Sequence, residues 1–254
     1  MTWLRTKTLA HREDDANKYS HGTVGVIAGS TQYPGAAVLT VGGARRGGAG
    51  YIQYADLAEL PTQLVMTAYP DVIKRKVKDI SADSWVIGSG NPVLIRTFNL
   101  PKSTFLVLDA ESISLVKKSR SIFTIITPHH GEFARLGYDL TDSSLWKVHA
   151  LQAANHLNAY VVLKGAKTLI ASPDGLFLSG HFGTPALATA GTGDVLAGFI
   201  ASMLASWKPE TSEEVMGVIQ RSVKAHGRAA RRASRRIKPL TAPDLLAELP
   251  KSLR

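Results

Sequence analysis

Short apolar runs alternate along the chain with longer stretches whose apolar positions recur at helical spacing. Residues 24–28 form a compact apolar run closed by Gly29-Ser30, the pattern of a strand buried on both faces. Similar runs stand at 51–54, 85–87, 105–108, 122–126 and 161–163, most of them ending at a polar or glycine-rich segment. Residues 64–67 read as a weaker strand. Residues 168–171 and 176–178 flank Ser172-Pro173-Asp174-Gly175, a turn sequence that predicts a hairpin. Helices are predicted over 34–46, 145–157, 193–205, 213–236 and 244–249. Pro34 suits a helix start, because its fixed φ and missing N–H cost nothing in the first turn.

Strands alternating with helices predict an α/β fold, with a predominantly parallel central sheet and helices on both faces. Ligands in such folds bind at the carboxyl ends of the strands. Gly29-Ser30, Gly88-Ser89-Gly90, Asp109, residues 127–132 and residues 164–168 all fall there. No internal repeat or long linker interrupts the pattern, so one domain over 1–254 is expected.

Composition narrows the classes. Hydrophobic residues are 44% and charged residues 20%, which is globular rather than disordered. The chain has no cysteine, which excludes disulfides, zinc–thiolate sites, iron–sulfur clusters and a thiol nucleophile, and which suits a reducing compartment. The first fifteen residues carry Arg5, Lys7, Arg12, Glu13, Asp14 and Asp15 without the apolar core of a signal peptide. The most apolar stretch, 184–207, is interrupted by Asp194 and glycines, so no membrane span is expected and a cytoplasmic location is.

The net charge is +10, and much of the excess lies in Arg221, Lys224, Arg228, Arg231, Arg232, Arg235, Arg236 and Lys238, with no acid between them. Such a run can bind phosphate or nucleic acid, or form the solvated face of a helix. The second reading is favoured, because no nucleic-acid-binding motif accompanies it.

Ala190-Gly191-Thr192-Gly193-Asp194 opens a predicted helix, and free N–H groups at a helix start bind anions. A carboxylate repels phosphate, so Asp194 makes sense there as a base for a hydroxyl beside that phosphate. It reads equally well as a helix N-cap. Glu132, at a predicted helix start after Pro128, can orient Mg²⁺ directly or through water, or serve only the helix dipole. Adjacent His129 and His130 lack the further ligands of a zinc site. Lys164-Gly165-Ala166-Lys167-Thr168 can meet a nucleotide or be a solvated loop. Gly35-Ala36-Ala37 permits close approach of a planar ligand or tight helix packing. Neither the P-loop nor the Rossmann fingerprint is present.

Taken together, the segments resemble the ADP-dependent NAD(P)H-hydrate dehydratases of the ribokinase-like superfamily. The resemblance rests on residues 21–50, VIGSGNP at 86–92, VLDAES at 107–112, ITPHHGEFARL at 126–136, VVLKGAKTLIASPDG at 161–175 and ATAGTGDVLAGFIASMLA at 188–205. AHG at 225–227 and the ending APDLLAELP also fit. The order is kept over nearly the whole chain. GTGD alone indicates the superfamily; the PHxGEF and KGAxT elements together are specific.

The resemblance implies a three-layer ribokinase-like fold and a repair activity. The S form of NADHX or NADPHX would be dehydrated to NADH or NADPH. ADP would phosphorylate the ring hydroxyl, phosphate would eliminate, and AMP would remain. Asp194 would be the catalytic base and touch substrate. Gly191, Thr192 and Gly193 would form an anion hole. Lys164, Gly165, Ala166, Lys167, Thr168 and Gly193 would line the nucleotide site. Ala36, Gly90 and His129 would contact the hydrate, and Glu132 would help place Mg²⁺. A homo-oligomer, a tetramer by resemblance, and a separate NAD(P)H-hydrate epimerase are implied partners, since 254 residues hold no fused epimerase domain. Ser89 stands where the resembled pattern has proline, and His130 where it has a second proline. A related vitamin-alcohol kinase would share GTGD but more often carries Asn in place of His129.

Overall fold

The computed structural model describes residues 17–90 and 99–253. The readings made for the first fifteen residues, and Asn91-Pro92 of the 86–92 motif, lie outside the described residues.

Among the described residues, nine strands form one sheet: β1 (Thr23–Ile27), β2 (Tyr51–Ala55), β3 (Ile73–Arg75), β4 (Ser84–Ile87), β5 (Phe105–Leu108), β6 (Phe123–Ile126), β7 (Tyr160–Leu163), β8 (Thr168–Ala171) and β9 (Phe177–Gly180). Their order is β3-β2-β1-β4-β5-β6-β7-β8-β9. Pairing is parallel from β3 across to β7. It becomes antiparallel at β7–β8 and β8–β9, where short connections leave no room for a crossover. The helices are α1 (Pro34–Ala44), α2 (Glu59–Ala68), α3 (His130–Arg135), α4 (Trp146–Leu157), α5 (Thr192–Trp207), α6 (Ser212–Ser234) and α7 (Ala242–Glu248), with a 3₁₀ helix over Ala110–Lys118.

Strand side chains alternate between two cores. Val24, Val26, Val86, Phe105, Val107 and Val162 pack with residues of α1, α5, α6 and α7. Ile27, Trp85, Ile87, Leu106, Leu108 and Leu163 pack with the 3₁₀ helix, α3 and α4 on the other face. Both faces are therefore covered, as the alternation of strands and helices predicts. Residues 64–67 are a correction: they lie in α2, not in a strand. A short apolar run cannot distinguish the two by itself. Here Pro61, Thr62 and Val65 are buried at helical spacing while Leu60 and Leu64 face outward. β3 was not foreseen, because all three of its residues are exposed at the sheet edge.

α5 is buried along almost its whole length between the sheet, α1 and α6. Its approach to α1 depends on Gly198, where a Cβ would lie 2.0 Å from the Thr40 carbonyl oxygen. Gly198→Ala should therefore be costly, near the upper end of the ~1–3 kcal/mol typical of overpacking, since backbone cannot swing aside. Differential scanning calorimetry should show Tm lowered by at least about 5 °C; an unchanged Tm would contradict this packing.

The basic run lies on α6 and the turn after it. Arg231 donates to the carbonyls of Phe182 and Gly183 at 2.6 and 3.1 Å. Arg232 and Arg236 lie 3.2 and 3.9 Å from Glu248. Arg221 donates to the Leu253 carbonyl and lies over the Trp207 ring. Part of the run thus ties the C-terminal segment and the loop after β9 to α6. Among the described residues no helix is long and apolar enough to cross a membrane.

Candidate active site

The carboxyl ends of β4, β5, β6 and β7 meet the N-terminus of α5 along one edge of the sheet. Gly191 is the N-cap of α5, with φ of 86°, a left-handed conformation that a Cβ would strain. A Cβ there would also lie 2.3 Å from Leu39 Cδ1. Asp194 is the third residue of the helix, so it does not fill the N-cap place the sequence also allowed. The first intrahelical bond runs from Val195 N to the Gly191 carbonyl. The N–H groups of Gly193 and Asp194 precede it, at the positive end of the helix dipole. Thr192 turns its hydroxyl back to the carbonyls of Leu187 and Thr189, at 2.8 and 2.9 Å. That hydroxyl braces the turn into α5.

Asp194 Oδ1 accepts a hydrogen bond from Ser89 Oγ at 2.6 Å. Burial pushes the Asp194 carboxyl up to about 6; the Ser89 bond and the Lys164 ammonium oppose that rise, while Asp109 and Glu111 add to it. The group is thus poised to exchange a proton near neutral pH.

Lys164 follows β7, whose extension is fixed by a bond from Lys164 N to the Pro128 carbonyl at 2.8 Å. Lys164 Nζ donates to Asp109 Oδ1 at 2.7 Å, and Thr127 Oγ1 donates to the same oxygen at 2.6 Å. Burial works against the Lys164 charge, but Asp109, with Glu132 and Asp194 adding to its effect, outweighs burial and lifts the lysine above its ordinary range. At Gly193 a Cβ would lie 3.2 Å from that ammonium. A cation at a helix N-terminus is electrostatically unfavourable. Asp109 holds it there, and an anion bound between the two would satisfy both.

His129 is the N-cap of α3. Its Nδ1 accepts from the N–H groups of Gly131 and Glu132 at 3.0 and 3.3 Å. Nε2 therefore carries the proton, and it lies 3.4 Å from Glu132 Oε1. Glu132 Oε2 accepts from His129 N at 2.8 Å. The Glu132 carboxylate is thus turned back on its own helix end. His130 packs edge-on against Trp146, and His129 pairs with Lys164 across the extended strands. Ala36 lies in the first turn of α1. Gly90 packs on the turn before it, where a Cβ would lie 3.1 Å from Gly29 Cα and from Tyr33 Cβ. Ser89 is thus joined to Asp194, and Lys164 to Asp109, with Gly193 close to the Lys164 ammonium. Gly165, Ala166 and Lys167 are an exposed loop, and Thr168 is the buried first residue of β8.

Sequence reasoning assigned no role to Asp109, Ser89 or His226. Asp109 stood out as a polar strand end and within VLDAES at 107–112, and His226 only within AHG at 225–227, neither with a role attached. His226 Nε2 donates to the Thr192 carbonyl at 2.9 Å, bracing the α5 terminus. Burial pushes His226 down to about 4, with Lys164 adding to that and the Thr192 bond opposing it. As pH falls below the ordinary histidine value of 6.5, the unfolded chain takes up this proton first. Stability present above pH 6.5 is therefore lost progressively toward pH 4, by about 3 kcal/mol. His226→Gln, which keeps a donor and does not titrate, should flatten that slope in denaturant titrations at several pH values; an unaltered slope would refute the assignment.

Among the described residues no group of three His, Asp or Glu converges as a metal cage. What converges is a half-buried carboxylate, a cation and a helix N-terminus, an arrangement suited to phosphoryl transfer to a hydroxyl.

Comparison with known proteins places the chain among relatives of known family. The family model for NAD(P)H-hydrate dehydratase matches residues 24–251. The chain is 36% identical over 233 residues to the bifunctional NAD(P)H-hydrate repair enzyme of Gloeobacter violaceus, covering 82% of this chain and 45% of that protein. It thus spans about half the length of the curated relatives it matches. The crystal structure of the ADP/ATP-dependent NAD(P)H-hydrate dehydratase from Bacillus subtilis, co-crystallised with ATP/Mg²⁺, is similar with a TM-score of 0.82 at 28% identity, covering 95% of this chain and 92% of that one. A ribokinase-like superfamily protein from Enterococcus faecalis shares the fold, with a TM-score of 0.80 at 22% identity over 96% of this chain and 90% of that one.

Proposed function

The chain belongs to the NAD(P)H-hydrate dehydratase family, and from that premise we propose that it returns the S form of NADHX or NADPHX to NADH or NADPH with ADP as phosphoryl donor. The observation that carries this reading is Asp194, a half-buried carboxylate in the first turn of α5 that lies within the electrostatic reach of the Lys164 ammonium.

Hydroxide is a poor leaving group and phosphate a good one, so dehydration is driven by making the ester first. Asp194 takes the proton of the ring hydroxyl while its oxygen attacks the terminal phosphorus of ADP. The bond to the bridging oxygen breaks, and AMP leaves with that electron pair. The N–H groups of Gly193 and Asp194 and the Lys164 ammonium meet the charge on the transferring group. The ring nitrogen then pushes phosphate off the carbon, a proton leaves the neighbouring carbon, and the double bond returns. Gly165, Ala166, Lys167 and Thr168 would line the nucleotide, while Ala36, Gly90 and His129 would border the hydrate.

Mg²⁺ fits this site in one way. Both Glu132 oxygens face His129, and Asp109 Oδ1 is engaged by Lys164 and Thr127, so no cage of carboxylates is preformed. Mg²⁺ commonly keeps several waters and binds through substrate phosphates. The nucleotide phosphates, with Glu132 through water, would hold it, and it would neutralise phosphate charge. A homo-oligomer working in the cytoplasm, with an epimerase partner supplying the S form, completes the reading.

The test mixes purified protein with hydrated NADH and Mg²⁺, and adds ADP or ATP in parallel. Return of reduced-nicotinamide absorbance with ADP supports the proposal. Return with ATP alone overturns the donor. No return with either, from folded protein that binds nucleotide, points to a small-molecule kinase.

A further inference from the structure

Ser89 is tied to Asp194 across 105 residues of sequence by a bond of 2.6 Å. Neither end of that bond is free to drift. Gly88 N donates to the Ile27 carbonyl at 2.8 Å, and Gly29 N donates to the Ser89 carbonyl at 2.9 Å, so the sheet pairing of β1 and β4 continues through residues 88–89. The other end sits on α5, which is clamped against α1 at Gly198. The serine hydroxyl is therefore placed by the fold, and the carboxylate comes to it. An acid in a first helical turn is otherwise drawn back toward its own helix terminus. Resting on the reading of Asp194 as the base, we propose that Ser89 is its positioning residue: the hydroxyl holds Oδ1, and so presents the carboxylate in one orientation to the substrate hydroxyl.

The electrostatics agree. Among the described residues, the charged groups that act on Asp194 are Asp109 at the end of β5, Glu111 in the 3₁₀ helix and Lys164 after β7. Burial and the two acids favour the protonated form. Against them stand the Ser89 bond, the larger of the two opposing influences, and Lys164. Ser89 thus keeps the base available at lower pH than its surroundings alone would allow. It occupies the middle of Gly88-Ser89-Gly90. A proline or alanine there offers Asp194 no donor.

The experiment compares kcat and KM of wild type, Ser89→Ala, Ser89→Pro and Ser89→Thr between pH 5 and 9, with hydrated NADH and the nucleotide that supports turnover. In wild type, activity should fall as pH drops through about 6. In Ser89→Ala and Ser89→Pro that limb should move up by about half to one pH unit, as expected for loss of a hydrogen bond to a charged group. Turnover at pH 6 should fall about tenfold, the nucleotide KM should hold, and threonine should restore both limb and rate. An alanine profile that superimposes on wild type overturns the proposal, as does a pH-independent loss that threonine does not rescue. The Asp194 carboxyl can also be titrated by carbon-13 NMR in wild type and Ser89→Ala. An upward shift in the variant supports the positioning role even if no dehydratase activity is found, and equal titrations refute it. Failure of the activity and failure of the Ser89 assignment are thereby distinguished.

Discussion

Asp194→Asn is expected to lower turnover by about 10²–10⁴-fold, the usual contribution of a positioned general base, and at the same time to make the protein more stable. Asparagine keeps the shape of the side chain and can still accept the Ser89 hydrogen bond, so the site should stay assembled and bind nucleotide. What it cannot do is take the hydroxyl proton. The stability gain follows from burial. The Asp194 carboxyl stands at about 6 in the fold against an ordinary value of 3.8. As pH rises, the unfolded chain ionises first. The stabilising effect of the neutral acid is complete below 3.8 and is lost as pH rises through about 6. At pH 7 the buried charge costs on the order of 2 kcal/mol. Removing it should raise Tm by about 4–8 °C for a chain of this size. Calorimetry at pH 7 and single-turnover kinetics check the two halves. Undiminished turnover would remove Asp194 from the chemistry; a lower Tm would show that its burial is not the source of the raised value.

The second large effect concerns Asp109 and Lys164. The Asp109 side chain is 4% exposed and that of Lys164 22%. Lys164→Met strands a buried carboxylate, and Asp109→Asn strands an ammonium against a helix N-terminus. Each should cost about 3 kcal/mol, because breaking one side of a buried pair leaves an uncompensated charge. The double variant should recover a good part of that stability, since it leaves neither charge unpaired. Its turnover should nevertheless stay down by about 10²–10³-fold, because the cation facing the transferring phosphoryl group is gone. A double-mutant cycle in urea, run beside the repair assay, separates the two. Strictly additive stability losses would mean that the pair is not coupled as its geometry requires.

These residues also mark where sequence reading works and where it stops. The parallel strands were legible because a strand buried on both faces must be apolar at every position. β5 and β7 satisfy that rule, β1 and β4 satisfy it beyond their first residues Thr23 and Ser84, and all four supply or border the site. The exposed edge strand β3 breaks it, and the pattern passed over it. Residues 64–67 carry a local signal that suits either element, and burial of Pro61, Thr62 and Val65 on one side decided for helix. In the site, Gly191, Asp194 and Lys164 could be read from the chain, because a turn into a helix and a lysine at a strand end are local features. Their partners could not. Ser89 meets Asp194 across 105 residues, Lys164 meets Asp109 across 55, and His226 meets the Thr192 carbonyl across 34. The Glu132 carboxylate was legible as a first-turn acid, but only the fold showed both its oxygens turned toward His129. By itself the sequence determined most of the strands and helices, though not α2 or β3, and which chemical groups stand at their ends, because periodicity and turn chemistry act over a few residues. Only the tertiary structure decided which of those groups touch, because strand order and the close packing of α5 on α1 set distances between residues that no local pattern connects.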